Sequence, residues 1–331
     1  MKTVLVTGGA GYIGSHTCKE LDSAGYSPVV YDDLSQGHRW AVRYGPLIEG
    51  DVADTQRLTD ILRETNAGAV IHFAASACVG ESMRDPQKYF RNNVAGTIGL
   101  LDAVRAAGVP RIVFSSTCAT YGPPESPMLA EGHQQRPVSP YGVSKLFVEH
   151  MLRWNAAAYG LQYVALRYFN AAGADSDGEL GEAHTPETHL IPLAIRAALG
   201  QGPGLEVFGT DYQTYDGTAI RDYVHVTDLA RAHVSALQYL EQGGPSDVFN
   251  IGTGIGVSVS QVVECVELAT QRRVRRTAAP RRAGDPEVLV ANPAKARSIL
   301  GWQPQCSDIM TIVETAWGWH RNRELNLRPS Q

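Results

Sequence analysis

A short aliphatic run near the start of the chain breaks into Thr7-Gly8-Gly9-Ala10-Gly11-Tyr12-Ile13-Gly14, and this glycine spacing restricts the fold more than any other feature. Glycines placed Gly8-x-x-Gly11-x-x-Gly14 at a strand-to-helix turn permit positive φ and let the backbone approach a bulky anion. The helix that opens there offers unpaired N–H groups and a partial positive charge, a seat for phosphate. A glycine trio also describes an ordinary tight turn, so the surrounding pattern has to decide. As far as residue 170, β-branched or aliphatic runs at 3–6, 28–31, 47–49, 69–73, 111–115 and 162–166 alternate with helical periodicity over 12–24, 54–65, 86–107 and 140–159. Such alternation predicts a doubly wound parallel α/β sheet.

Beyond residue 170 the alternation loosens. A glycine-rich run at 174–181, a helix near 190–199 and a strand near 205–208 predict a smaller C-terminal domain. The segment 222–251 reads again as strand, helix and strand and is expected to return to the first unit. The expected division is therefore 1–170, joined by 222–251, and 171–331. A length of 331 residues suits two units, at roughly 100 to 200 residues each. With 44% hydrophobic and 19% charged residues the composition is that of a folded chain rather than a disordered one.

Other function classes fall away on simple grounds. The formal net charge of -5 supplies no global field for a polyanion, so nucleic acid is not an expected partner. Cys18, Cys78, Cys118, Cys265 and Cys306 are odd in number and lack C-x-x-C spacing, which points to a reducing, cytoplasmic setting. No apolar run approaches the roughly 18 residues of a membrane span, and the first one stops at glycines too soon for a signal sequence. Ten histidines occur without a His-Glu-x-x-His pattern, so no metal is expected. The basic stretch Arg272, Arg273, Arg275, Arg276, Arg281 and Arg282 reads mainly as solvated surface.

Context sharpens the glycine turn. Eighteen residues after Gly14, the second strand ends in Asp32, placed to accept hydrogen bonds from a ribose. No arginine follows at once to take a 2′-phosphate, which favours NAD over NADP. Asp51 ends the third strand, where it could meet an adenine edge or cap the next helix. The fifth strand delivers Ser115-Ser116-Thr117 to the ligand crevice, and Tyr141-Gly142-Val143-Ser144-Lys145 follows twenty-four residues after Thr117. Positions 141 and 145 share a helix face. A free tyrosine has a pKa near ~10, so its use as a base needs nearby positive charge, which Lys145 and an oxidised nicotinamide would supply. An isolated Tyr-x-x-x-Lys is common by chance; the turn and the hydroxyl-bearing strand end give it meaning.

With these features the chain resembles the extended short-chain dehydrogenase/reductase family and, within it, the UDP-glucose (UDP-galactose) 4-epimerases. The likeness spans essentially the whole chain. It includes His72-Phe73-Ala74-Ala75, Val79-Gly80-Glu81-Ser82, Asn92-Asn93-Val94, Arg167-Tyr168-Phe169-Asn170, Asp216-Gly217-Thr218, Arg221-Asp222-Tyr223-Val224-His225-Val226 and Arg281-Arg282-Ala283-Gly284-Asp285. The resemblance implies a Rossmann sheet holding NAD tightly and a smaller domain holding a UDP-sugar. It also implies 4-epimerisation through a transient 4-keto sugar, with no external reductant consumed, and a homodimer pairing 86–107 and 140–159.

By position, the resemblance makes Tyr141 the base, Thr117 a hydrogen-bond partner of the sugar 4-oxygen, and Lys145 the residue that holds the ribose and tunes the tyrosine. Cofactor contacts map to Gly8, Gly11, Tyr12, Ile13, Gly14, Asp32, Asp33, Leu34, Ser35, Gln36, Gly37, Asp51, Val52, Phe73, Ala74, Ala75, Ala77, Asn92 and Phe169, beside Thr117, Tyr141 and Lys145. Substrate contacts map to Asn170, His189, Leu190, Glu206, Val207, Phe208, Arg221, Arg282, Asp285 and Leu289, with Thr117 and Tyr141; for His189 a structural role is the alternative. Arg221 and Arg282 are the expected pyrophosphate partners, since a guanidinium fork matches phosphate oxygens.

Three positions depart from the commoner pattern. Ala77 stands where many members have a phosphate-binding lysine, Thr117 replaces serine, and Leu289 is intermediate between the large and small residues that decide whether an N-acetyl group fits. UDP-N-acetylglucosamine and UDP-arabinose or UDP-xylose epimerisation therefore stay open as alternatives. A 4,6-dehydratase is disfavoured because Cys118-Ala119, rather than Asp-Glu, follows Thr117, and Cys118 reads as a small buried residue. A non-catalytic NAD-sensing regulator is disfavoured because Tyr141 and Lys145 are both retained.

Overall fold

The computed structural model describes residues 2–327 apart from Glu125, Pro127, Ala283 and Gly284, with side chains through residue 322. Ala283 and Gly284 of the arginine-containing motif thus lie outside the described residues. The first half of the chain runs β1 (Lys2–Thr7), α1 (Tyr12–Ser23), β2 (Tyr26–Asp32), β3 (Leu47–Glu49), α2 (Thr55–Glu64), β4 (Ala69–His72), α3 (Val79–Ser82), α4 (Pro86–Tyr89), α5 (Gly96–Ala107), β5 (Arg111–Thr117), β6 (Met128–Leu129), α6 (Pro140–Tyr159) and β7 (Gln162–Tyr168). It continues through β8 (Asn170–Ala172), α7 (Leu190–Ala198), β9 (Leu205–Phe208), β10 (Ile220–His225), α8 (Val226–Glu241), β11 (Asp247–Ile251) and β12 (Gly256–Ser258). The last elements are α9 (Val259–Thr270), β13 (Arg276–Ala279), β14 (Val288–Ala291), α10 (Ala294–Ile299) and α11 (Ile309–Leu327).

Seven parallel strands form the main sheet in the order β11-β7-β5-β4-β1-β2-β3. The expected doubly wound parallel architecture is present, with one strand more than the six read from the first half. Because successive side chains on a strand point to opposite faces, each strand serves two cores. Val4, Val6, Ile71 and Val113 pack with α1 and α8, while Leu5, Val70, Ile112 and Phe114 pack with α2, α5 and α6. The order in which strands join the sheet reverses between β1 and β4, and a crevice at such a switch point, outside the C-terminal strand ends, is where ligands bind.

Two expectations need correction. Of the segment 222–251, α8 packs on α1 and β11 joins the main sheet, but β10 pairs with β8, β12 and β14 instead. The helix expected over 86–107 is interrupted: between α4 and α5 the chain makes a π-helical turn from Phe90 to Ala95. Asn93 in that turn is buried, and its side chain bonds Ser76 on one side and Ser144 on the other. Periodicity cannot register such a bulge, because it is set by partners distant in sequence.

A third core lies outside the main sheet, where α7, α9 and α11 surround β9 and contribute Ile191, Ile195, Val262, Val266 and Ile312. Between it and the large sheet, a small cluster of Cys118, Tyr121, Leu129, Phe169 and Ala291, with Leu289 against it, links the two regions.

Candidate active site

The phosphate-binding turn is set by close packing. Gly8 has φ +74°, and a Cβ there would stand 2.6 Å from the Ala74 backbone nitrogen, while one at Gly14 would stand 2.2 Å from the Gly8 carbonyl oxygen. Gly11 caps α1 without a side-chain hydrogen bond, and no acidic residue occupies the first turn. The helix N-terminus, beginning with Tyr12 and Ile13, therefore keeps its donors and positive potential for a ligand.

Asp32 is buried at the end of β2, one oxygen accepting from Ala10 N (3.0 Å) and the other from Leu34 N (2.9 Å). Burial pushes this carboxyl up in pKa, and the two N–H bonds oppose the shift. Each oxygen retains a lone pair for a ribose hydroxyl. The loop from Asp33 through Leu34, Ser35 and Gln36 to Gly37 folds over it, so closely that a Cβ on Gly37 would lie 2.7 Å from Asp32 Oδ1. Arg39, the first arginine after Asp32, pairs at the surface with Glu49. Glycine cradle, helix end and buried carboxylate together fit NAD.

Around this cradle the predicted contacts divide. Ala74 N bonds the Thr7 carbonyl (3.1 Å), and Phe73 lies against His233, ring centroids 4.6 Å apart. Asn92, on the π turn, reaches toward Ser76 Oγ (3.4 Å), whereas Ala77 is exposed. Asp51 does not cap the next helix: Asp54 does so by accepting from Arg57 N, while Asp51 Oδ1 accepts from Ala53 N. Val52 is buried against Gly96. His72, quoted above only for resemblance, joins β1 to α5, with Thr7 Oγ1 2.7 Å from Nδ1 and Thr97 Oγ1 3.0 Å from Nε2.

Thr117, Tyr141 and Lys145 converge where β5 ends and α6 begins. Ser139 caps α6 by accepting from Gly142 N, and Pro140 occupies the first turn, which fixes Tyr141 at the helix entrance. Tyr141 is buried, and that burial drives its pKa well above the usual tyrosine value; the negative form of nearby Tyr168 pushes the same way, and a hydrogen bond with Thr117 pulls it down. Lys145 donates from Nζ to the Ser115 carbonyl (2.9 Å) and lies over the Phe114 ring, 4.9 Å from its centroid. Burial pushes its pKa down to about 7, against the opposing charge of Glu149. Thr117 also accepts from Ala119 N at 3.1 Å. Cys118 is buried and its thiol is pushed up to about 12 by that burial, so it stays protonated and apolar.

Sequence reasoning missed the support beneath this trio. Glu149, one turn beyond Lys145, binds Arg167 of β7 through two hydrogen bonds (3.0 and 2.6 Å) and accepts from Ser116 Oγ (2.6 Å), all three residues being buried. This pair locks α6 to β7. The repeating i, i+4 spacing of Tyr141, Lys145 and Glu149 was the available signal.

On the substrate side, Asn170 Nδ2 donates to the Asp222 carbonyl (3.0 Å). Arg221 pairs with Asp285 and donates to the Ile220 carbonyl (2.7 Å), and Leu289 stands in register with it on β14. Leu289 and Phe169 border the small apolar cluster that contains Cys118, next to Thr117. Arg282 stacks on Phe208, its guanidinium carbon 4.0 Å from the ring centroid. On β9, Val207 turns into the third core and Glu206 faces outward. His189 precedes α7 and pairs with Glu182, while Leu190 packs on the third core.

Residues 4–252 match the model of the NAD dependent epimerase/dehydratase family. A UDP-glucose 4-epimerase of Rhizobium meliloti (strain 1021) is 53% identical over 320 residues, covering 97% of each chain. A crystal structure of UDP-glucose 4-epimerase from Brucella ovis in complex with NAD superposes with a TM-score of 0.94 at 56% identity, covering 96% of this chain and 98% of that one. Another, from Bifidobacterium longum in complex with NAD+ and UDP, gives 0.92 at 35% identity, covering 98% and 99%.

Proposed function

The chain belongs to the NAD dependent epimerase/dehydratase family, and on that premise we propose that its site works as a UDP-glucose 4-epimerase, interconverting UDP-glucose and UDP-galactose with bound NAD. The observation that carries this reading is the convergence of buried Thr117, Tyr141 and Lys145 at the C-terminal strand ends that also hold the glycine cradle. NAD, when bound, supplies reversible oxidation of the sugar at C4.

The chain's own residues handle the proton and the placement. Tyr141 takes the proton of the 4-hydroxyl at its phenolic oxygen and returns it, while Thr117 orients that hydroxyl. Burial alone keeps Tyr141 protonated, so it becomes a base only with positive charge beside it. Lys145, near pKa 7, is the side chain that responds, gaining charge when ribose oxygens and the phenolate face it. Arg221 and Arg282 hold the pyrophosphate: Arg221 has further N–H donors beyond those given to Asp285 and Ile220, and Arg282 is pre-stacked on Phe208. Asn170 adds an amide at the sugar, and Leu289 bounds the pocket near Phe169.

In this reading 1–170 with 222–251 forms the NAD domain and 171–331 the nucleotide-sugar domain, with β10 on the substrate side. The protein is a cytoplasmic homodimer. Five free cysteines and the lack, among the described residues, of any helix long and apolar enough to cross a membrane support the first. Ile98, Phe147 and Trp154, exposed on α5 and α6, support the second.

The test is to denature purified protein and measure released NAD, then assay UDP-glucose, UDP-galactose, UDP-N-acetylglucosamine and UDP-arabinose with wild type and Leu289 variants. Released NAD and hexose epimerisation without external reductant are expected. Absence of 4-epimerisation of any UDP-hexose, with NAD added, defeats the reading.

A further inference from the structure

Just before α7, four side chains that can ligate a metal come from a single stretch of eight residues: Glu182, His184, Glu187 and His189. One donor atom from each lies within 4.8 Å of all the others. Acidic groups gathered at a surface rarely mean anything, but these two carboxylates are inside, Glu182 at 3% and Glu187 at 9% exposure. Burying a carboxylate requires a partner for its charge and its lone pairs.

For Glu182 the partners are two imidazoles: His184 Nδ1 stands 2.9 Å from Oε1, and His189 Nδ1 meets the same oxygen. For Glu187 the account does not close. Its Oε1 accepts from Thr188 N (2.8 Å) and His189 N (2.9 Å), but its Oε2 is buried and has no hydrogen-bond partner. Two imidazole nitrogens and two buried carboxylates converge here, and one oxygen of Glu187 is left without a partner.

We propose that Glu182, His184, Glu187 and His189 form a structural site for a divalent transition-metal ion, with zinc the best match. Two imidazoles and two carboxylates are a borderline donor set, suited to zinc rather than to calcium or magnesium. Two carboxylates also neutralise a divalent charge. A tetrahedral ion with bonds of about 2.0–2.2 Å needs its donors roughly 3.3–3.6 Å apart, so the widest pair closes by about 1 Å. His184 and His189, with side chains 32% and 56% exposed, have room to turn and leave a route in from solvent.

The position suggests what the ion does. The ring of Tyr12, at the start of α1, stands edge-on to His184 with centroids 6.2 Å apart, and Trp319 of α11 donates to the Glu182 carbonyl (2.9 Å). Four protein ligands fill the coordination shell, so the ion would brace the segment leading into α7 beside the cofactor turn rather than activate water. The site gives His189 the structural role rather than the substrate contact, and the epimerase chemistry proposed above does not use it.

The experiment uses tag-free full-length protein, stripped with EDTA and loaded separately with Zn2+ and Co2+. One equivalent of zinc should survive gel filtration and raise the melting temperature, and the cobalt form should show the intense visible absorption of a four-coordinate site. His184→Ala and Glu187→Gln should each weaken Co2+ binding by more than the roughly 100-fold that loss of a supporting hydrogen bond costs. No retained ion, or only the weak absorption of six-coordinate cobalt in the wild type, overturns the site without recourse to variants. Undiminished binding in both variants also overturns it, because the ion then lies elsewhere.

Discussion

The two sides of the crevice hold their polar groups in opposite ways. On the sheet side Tyr141, Lys145, Glu149 and Arg167 are all buried, and burial pushes the pKa of Tyr141 up and that of Lys145 down before any ligand arrives. On the substrate side Arg221 is largely buried against Asp285, while Arg282 lies exposed on an aromatic face. The difference follows from the work required. Moving a proton needs a site where small changes in charge shift a pKa strongly, which a dry environment provides. Gripping a solvated pyrophosphate needs donors that can change partners, which the exposed Arg282 and the spare N–H groups of Arg221 provide.

The largest effect expected from this contrast is at the phenolic oxygen. Tyr141→Phe should lower kcat by about 10²–10⁴-fold, the usual span for a general base, with KM for UDP-glucose little changed and NAD retained. A matching rise in KM would move Tyr141 to the gripping side of the comparison.

The next effect concerns stability. Lys145 has its folded pKa depressed to about 7 from 10.5, so between those values the unfolded chain binds more protons and stability rises with pH. Lys145→Met should raise the melting temperature of cofactor-free protein near pH 6–7. That gain, on the order of a few kcal/mol, should fade toward pH 10, and a gain independent of pH would show that the lysine is not held in a dry site.

The smallest effect should come from the exposed arginine. Arg282→Ala should raise KM for UDP-glucose about 10-fold, close to the low end of the 1.5–3 kcal/mol range of a charged hydrogen bond, leaving kcat and melting temperature near wild type. A large loss of kcat instead would mean that Arg282 positions the reacting sugar.

How much of this was legible in the sequence depends on how local each feature is. The glycine turn, Asp32 at the second strand end, and Tyr141 with Lys145 each sit inside one strand–turn–helix unit, and short-range geometry makes such spacing readable. Arg221 with Asp285, and Arg282 with Phe208, belong to segments more than sixty residues apart, and only the resemblance pointed to them. The π turn at Asn93 was hidden because its partners Ser76 and Ser144 lie on other elements. The Glu182–His189 cluster was hidden for a different reason. The metal pattern sought was a helical His-Glu-x-x-His, whereas these ligands sit on an irregular segment whose donors converge only after it folds.

By itself, the amino-acid sequence determined the periodicities, and with them the doubly wound sheet, the cofactor turn and the placing of Tyr141 and Lys145 on one helix face, since strand alternation and helix pitch operate over a few residues. Tertiary structure decided three things: that β10 leaves the main sheet, that Glu149 and Arg167 lock α6 to β7, and that burial leaves Lys145 near pKa 7 while holding Tyr141 protonated. Those outcomes depend on desolvation and on partners brought together from distant segments, and neither exists until the chain has closed around them.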